Sequence, residues 1–267
     1  MSFGWREFPG GTVYALCDGA GPFFRTRDEA FPDAPAQAWA AADRYDPAAA
    51  GAAGQWILHF HCYAIRFEDG RTVLVDAGIG PADAPSKAWA PVPGRLPEQL
   101  ARAGIEPASV DAVVLTHLHT DHIGWAAGAL FPNARHVLQR AEADALGEPL
   151  AAPLLDPLRA ADRLQLVDGD MTLLPGLQLR HTPGHTPGHQ VVLLHTRDET
   201  LALTGDLLVH AAQLFDPAVT YLFDDDPDAA RATRIALLDE LRGGAAVLAT
   251  AHPTEPFHPL PAARQLL

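Results

Sequence analysis

The stretch Val113 to Gly124, VVLTHLHTDHIG, constrains this chain more than any other. Val113 to Thr116 are apolar or β-branched, the composition of a short buried strand. They lead directly into His117, His119, Asp121 and His122, four side chains able to bind metal within six residues. Imidazole and carboxylate are natural ligands of zinc and similar divalent ions. In a His-x-His-x-Asp-His loop, alternating residues point one way and the fourth faces across. His117 and His119 can therefore share one ion, and Asp121 with His122 can face a second.

Three more residues sit at strand-to-loop junctions. His185 lies between the turns forced by Pro183-Gly184 and Pro187-Gly188, where a rigid loop can aim it inward. Asp206 follows LALTG, a position suited to bridging two cations, and His252 ends AVLATA. The set is five histidines and two aspartates, enough for two divalent ions with positions left for water and substrate. Zinc is the expected ion; manganese, iron and cobalt suit the same donors. The other histidines read as structural: His181 and His189 in flanking strands, His59 and His61 on a sheet face, His136, His195 and His258 in structural or surface positions. Asp76, ending TVLVD, is expected to support the metal loop through hydrogen bonds.

Charge narrows the partners. The net charge is −14, with 33 acidic against 19 basic residues and Lys87 the one lysine. Nucleic-acid binders need basic surface to displace counterions, so neither nucleic acid nor another polyanion is expected. No apolar run approaches the roughly 18 residues that span a bilayer, and the start, MSFGWREFPGG, does not read as a secretory signal. Cys17 and Cys62 make no disulfide framework. The expectation is a cytoplasmic protein with a small-molecule substrate and no membrane partner, homodimerisation being left open.

The elements expected are strands at 12–16, 55–67, 71–76, 111–116, 136–139, 164–167, 171–174, 177–181, 190–196, 200–205 and 245–251, with helices at 96–103, 140–146 and 227–241. Asp226 is the expected N-cap of the last helix, with Pro227 in its first turn and Ala230, Leu237, Leu238 and Leu241 on its buried side. Residues 18–54 read as a long loop or cap with one short helix near 36–44, within a single domain, 1–267. Short strands followed by a helix in each half predict an α/β fold, an αββα four-layer sandwich.

The pieces VLVDAGIG (73–80), THLHTDHIG (116–124), TPGHTPGH (182–189), TGD (204–206) and AH (251–252) resemble, in order, the metallo-β-lactamase superfamily. The resemblance implies the αββα fold and a dinuclear hydrolase. One ion would be held by His117, His119 and His185, the other by Asp121, His122 and His252, with Asp206 bridging. Fifteen residues follow His252, so the helical glutathione-binding domain of glyoxalase II is not expected. Residues 205–234 are similar to a branch of lactonases, arylesterases and methyl-parathion-type hydrolases. The best-known acyl-homoserine lactonases carry a tyrosine three residues after the bridging aspartate; here Val209 stands there. Another group, His210 or Tyr221, or the metal alone, must then polarise the carbonyl.

The function expected is metal-dependent hydrolysis of a small neutral ester or lactone. Asp121 orients the nucleophile and carries its proton, His210 and Tyr221 are further catalytic candidates, and Trp125, Leu214, Phe215, Tyr221 and Phe223 are candidate walls. Phosphotriester hydrolysis at the same centre is the alternative, and a non-catalytic metal-binding or sensing protein the remote one.

Overall fold

The computed structural model describes residues 3–126, 129–146 and 148–261. Seven strands form one sheet in sequence order: β1 (Gly4–Phe8), β2 (Gly11–Thr26), β3 (Gln55–Phe67), β4 (Thr72–Val75), β5 (Ala112–Val114), β6 (Arg135–Gln139) and β7 (Leu164–Val167). Six form another, β8 (Met171–Leu174), β9 (Leu177–His181), β10 (Gln190–His195), β11 (Thr200–Leu203), β12 (Ala246–Ala249) and β13 (Phe257–Pro259), again with sequence neighbours paired. The helices are α1 (Arg27–Ala30), α2 (Ala36–Tyr45), α3 (Leu96–Arg102), α4 (Arg140–Leu146), α5 (Glu148–Ala160), α6 (Ala211–Phe215) and α7 (Pro227–Arg242). Among the described residues no helix is long and apolar enough to cross a membrane.

The chain divides into two compact units, Met1–Ala20 with Phe60–Met171, and Gly21–His59 with Thr172–Leu267. In the first, β4 to β7 pair in parallel. Parallel neighbours need crossovers, and α3, α4 and α5 lie in those connections. Leu74, Val113, Leu115 and Leu138 pack with Leu96, Leu100, Leu154 and Leu155 in its core. In the second unit β9–β10 and β10–β11 are antiparallel hairpins, whereas β11 and β12 are parallel with α7 between them in sequence. Leu237, Leu238 and Leu241 of α7 pack on Val191, Leu193, Ala202 and Leu248 of the sheet. Ala230, Leu237, Leu238 and Leu241 are buried as their spacing requires, and Asp226 caps the helix through the Ala229 N–H.

Several elements depart from the sequence reading. β2 runs to Thr26, not to residue 16, so the 18–54 stretch begins as strand. Its place between β1 and β3 supplies ladder partners on both sides, which outweighs the weak strand preference of Gly19, Gly21 and Pro22. α5 had no counterpart in that reading because it runs through Pro153 and Pro157, residues that ordinarily argue against a helix interior. α1, α6 and β13 are too short for periodicity to reveal. The single helix expected within 18–54 is α2.

Candidate metal centre

In the first unit, the metal-capable loop leaves the C-terminal end of β5, one of four adjacent parallel strands. Ligand sites of open parallel sheets gather at that edge. Asp76, at the end of β4, sits at φ +60 and its N–H donates to Val114 O (2.9 Å). Its carboxylate takes the Thr116 N–H (2.8 Å), the Thr116 hydroxyl (2.9 Å) and the His122 Nδ1–H (2.8 Å). Since the Thr116 hydroxyl donates to Asp76, its oxygen accepts from His117 Nδ1 (3.0 Å). Both rings are thus held at Nδ1, which leaves Nε2 as the nitrogen that could serve a metal ion. His117 and His119 present ring nitrogens within 4.8 Å of each other, and Asp121 and His122 pair ligand atoms within the same limit. Loss of the Asp76 carboxylate should free the His122 ring. We expect Asp76→Ala to weaken divalent-ion affinity about 10–100-fold, the usual effect of removing a ligand's hydrogen-bond partner, read by competition against a chromogenic chelator.

The loop is held from behind. The Ala77 N–H donates to His122 O (2.7 Å) and the Gly124 N–H to Gly78 O (2.7 Å). Gly124 lies so close to Gly80 that a Cβ would come within 2.3 Å of the Gly80 nitrogen. Asp18, fully buried on β2, accepts from the Ile79 N–H (2.7 Å), the Leu96 N–H and Trp125 Nε1–H (3.1 Å). Burial pushes its carboxyl upward, against the pull of these donors. Trp125, a candidate wall residue, is therefore tethered at its indole nitrogen.

In the second unit, His185 stands in the loop joining β9 to β10, and Asp206 and His252 follow the parallel strands β11 and β12. Asp206 carries one oxygen 3.3 Å from His185 Nε2 and the other 3.1 Å from His252 Nε2. His185 Nδ1–H donates to Asp224 (2.9 Å), and His252 Nδ1–H to the His59 carbonyl (2.9 Å). Again Nδ1 is engaged and Nε2 faces the site. The Asp206 N–H donates to His189 Nε2 (3.1 Å), while His189 Nδ1–H donates to the Thr182 hydroxyl (2.8 Å). His189, read from sequence as a strand residue, thus fixes the backbone at Asp206. The entry to α7 and the helix itself grip the His185 loop: the Asp225 N–H and the N–H of the N-cap Asp226 donate to His185 O (3.1 Å) and Gly184 O (2.9 Å), and the Thr233 hydroxyl to Pro183 O (2.9 Å).

His210 and Tyr221 have separate placements in this unit. His210 caps α6, its Nδ1 accepting the Ala212 N–H (3.0 Å), so its ring proton resides on Nε2. Burial among Phe31, Trp39 and Trp56 lowers its pKa to about 4, which keeps it neutral near pH 7. The Tyr221 ring stacks on His185 at 5.9 Å and contacts Phe31 (5.1 Å) and Phe223 (5.5 Å). Leu214 belongs to the apolar core and lines a small cavity with His210 and Thr250, while Phe215 packs edge-on against Tyr45 and lines a separate cavity with it. Asp224 and Arg234, which back His185, were missed in the sequence. Asp224 was hidden in the DDD run that announced the start of α7, and Arg234 carries no local signal.

Comparison with known proteins follows the same residues. The family described as the metallo-beta-lactamase superfamily matches residues 61–252. An N-acyl homoserine lactonase of Bacillus cereus is 31% identical over 182 residues, 62% of this chain and 70% of that protein. One from Bacillus sp is 39% identical over 105 residues, 38% of this chain, and the match spans 40% of that relative's length. Among solved structures, AidC, described as a dizinc quorum-quenching lactonase in complex with a product, superposes with a TM-score of 0.77 at 21% identity, covering 98% of this chain and 97% of that one. At that identity the likeness shows the fold: two sheets with helices, as expected for this family.

Proposed function

This chain belongs to the metallo-beta-lactamase superfamily, and we propose that it is a two-ion hydrolase of neutral lactones or esters. The ligand set is His117, His119, Asp121, His122, His185, Asp206 and His252. One observation carries the reading: Asp206 divides its two carboxylate oxygens between the Nε2 atoms of two different histidines. That is the arrangement of a bridging carboxylate whose two ions each have their own imidazole. The donors fit zinc or a similar first-row ion, being imidazoles and carboxylates, with four of the rings held at Nδ1.

Two ions held by these residues would bring a shared water towards ionisation at neutral pH and polarise an ester carbonyl. The chain's own groups do the rest. Asp121 orients the attacking water and carries its proton to the departing alkoxide. His210, neutral and protonated at Nε2, offers a hydrogen-bond donor where Val209 cannot, and its low pKa removes it from acid–base duty. Tyr221 is placed against a ligand imidazole, and from it an aromatic path runs through Phe223 to Phe24 (5.7 Å), both of them exposed. Such a wall suits a neutral substrate bearing an apolar group, and the relatives named as lactonases favour a lactone.

The test is metal analysis combined with a screen of lactones, aryl esters and phosphotriesters. We expect two ions per chain and turnover of lactones above the other classes. Chelation should abolish turnover, and added zinc, manganese or cobalt should restore it. Protein without bound ion, or activity that survives complete chelation, contradicts the reading; preference for phosphotriesters would reassign the substrate.

A further inference from the structure

A charged side chain in the apolar stripe of α7 needs a reason. Arg234 shares the helix face of Ala230, Leu237, Leu238 and Leu241 and is 1% exposed. A leucine there would fill the space without desolvating a guanidinium, which costs several kcal/mol unless every donor is met. The partners of Arg234, three carbonyls and one carboxylate, are informative. Nε donates to Leu207 O (2.8 Å), the carbonyl directly after Asp206. Nη1 donates to Pro217 O (3.0 Å) and Val219 O (2.9 Å), which lead into Tyr221. Nη2 lies 3.6 Å from Asp224 Oδ2, and the other oxygen of Asp224 holds His185 Nδ1. One rigid fork therefore touches both the segment that carries Asp206 and the carboxylate that orients His185.

We propose that Arg234 is a positioning residue for metal binding, setting the spacing of His185 and Asp206 through Asp224 and the Leu207 carbonyl. The proposal rests on the two-ion reading. Planarity is what the role requires: a lysine ammonium cannot reach three carbonyls and a carboxylate in one plane. Arg234 also sets its guanidinium directly behind the carboxylate that holds His185 Nδ1, so the orientation of that imidazole depends on the placement of the fork.

Cobalt-loaded full-length protein tests this without recourse to turnover. Wild type is compared with Arg234→Lys, with Asp224→Asn, which breaks the same link without removing core volume, and with Leu238→Ala, which damages the same helix face away from the link. We expect Arg234→Lys and Asp224→Asn to alter the ligand-field absorption of bound cobalt and to release it to a chelator about 10–100-fold faster. Leu238→Ala should lower thermal stability with the cobalt spectrum and release rate unchanged. The proposal is overturned if Asp224→Asn keeps the wild-type spectrum and release rate, whatever the folding of Arg234→Lys, or if Leu238→Ala reproduces the changes. Wild type that binds two cobalt ions beside variants indistinguishable from it sinks this inference alone. Wild type that binds none removes the two-ion reading and this inference with it.

Discussion

Asp206→Asn is expected to lose one of two bound ions and to slow hydrolysis about 10³-fold or more, with secondary structure retained. The side chain faces His185 Nε2 with one oxygen and His252 Nε2 with the other. An amide keeps the shape but replaces one oxygen with an N–H donor and removes the charge. Only one ion can then be served, and the amide nitrogen repels the other. Metal-ion stabilisation of developing charge is worth several kcal/mol, and each 1.36 kcal/mol is about tenfold in rate. The backbone N–H at Asp206 still donates to His189, so the loop has its anchor without the carboxylate. Metal content by emission spectroscopy, circular dichroism and kcat on a lactone measure the three parts. Full activity with one ion per chain would make Asp206 dispensable as a bridge and point to a mononuclear centre.

Most of the proposed ligand set can be picked out in the sequence because it is local. His117, His119, Asp121 and His122 announce themselves within six residues, and the two Pro-Gly pairs mark His185. Asp206 and His252 needed the strand-end position, which the alternation of apolar residues supplied. Strands β3, β7, β8 and β9 appear at the residues expected for them. What could not be read is what depends on contacts distant in sequence. Asp18 meets Trp125 across 107 residues of chain, and His252 rests on a carbonyl 193 residues earlier. Asp224, His189 and Arg234 look like a turn acid, a strand residue and a surface cation until their partners are known. Strand β2 was underestimated for the same reason: its glycines and proline describe local preference, whereas its neighbours in the sheet decide.

The support around His185 can be broken at a single atom. Gly184 has φ +136, a conformation L side chains rarely adopt, and a Cβ there would lie 2.1 Å from the Ala230 nitrogen and 2.3 Å from its Cα. The obstacle is helix backbone, which cannot rotate away as a side chain would. Gly184→Ala must therefore push the loop off α7, breaking the Asp226 N–H to Gly184 O bond and turning His185 from Asp224. Strained backbone and overpacking each cost on the order of 1–3 kcal/mol, so the melting temperature should fall. Catalysis should suffer more, since a displacement of about 1 Å in a catalytic constellation can cost 10²-fold. Excess metal should not restore the rate, because the ligand and not the ion is displaced. Gly244→Ala serves as the control: nothing lies within 4 Å of its added Cβ, so both stability and rate should match wild type. Wild-type metal affinity and rate in Gly184→Ala would mean that the loop can leave the helix without moving His185, and that the close approach at α7 does not set the ligand.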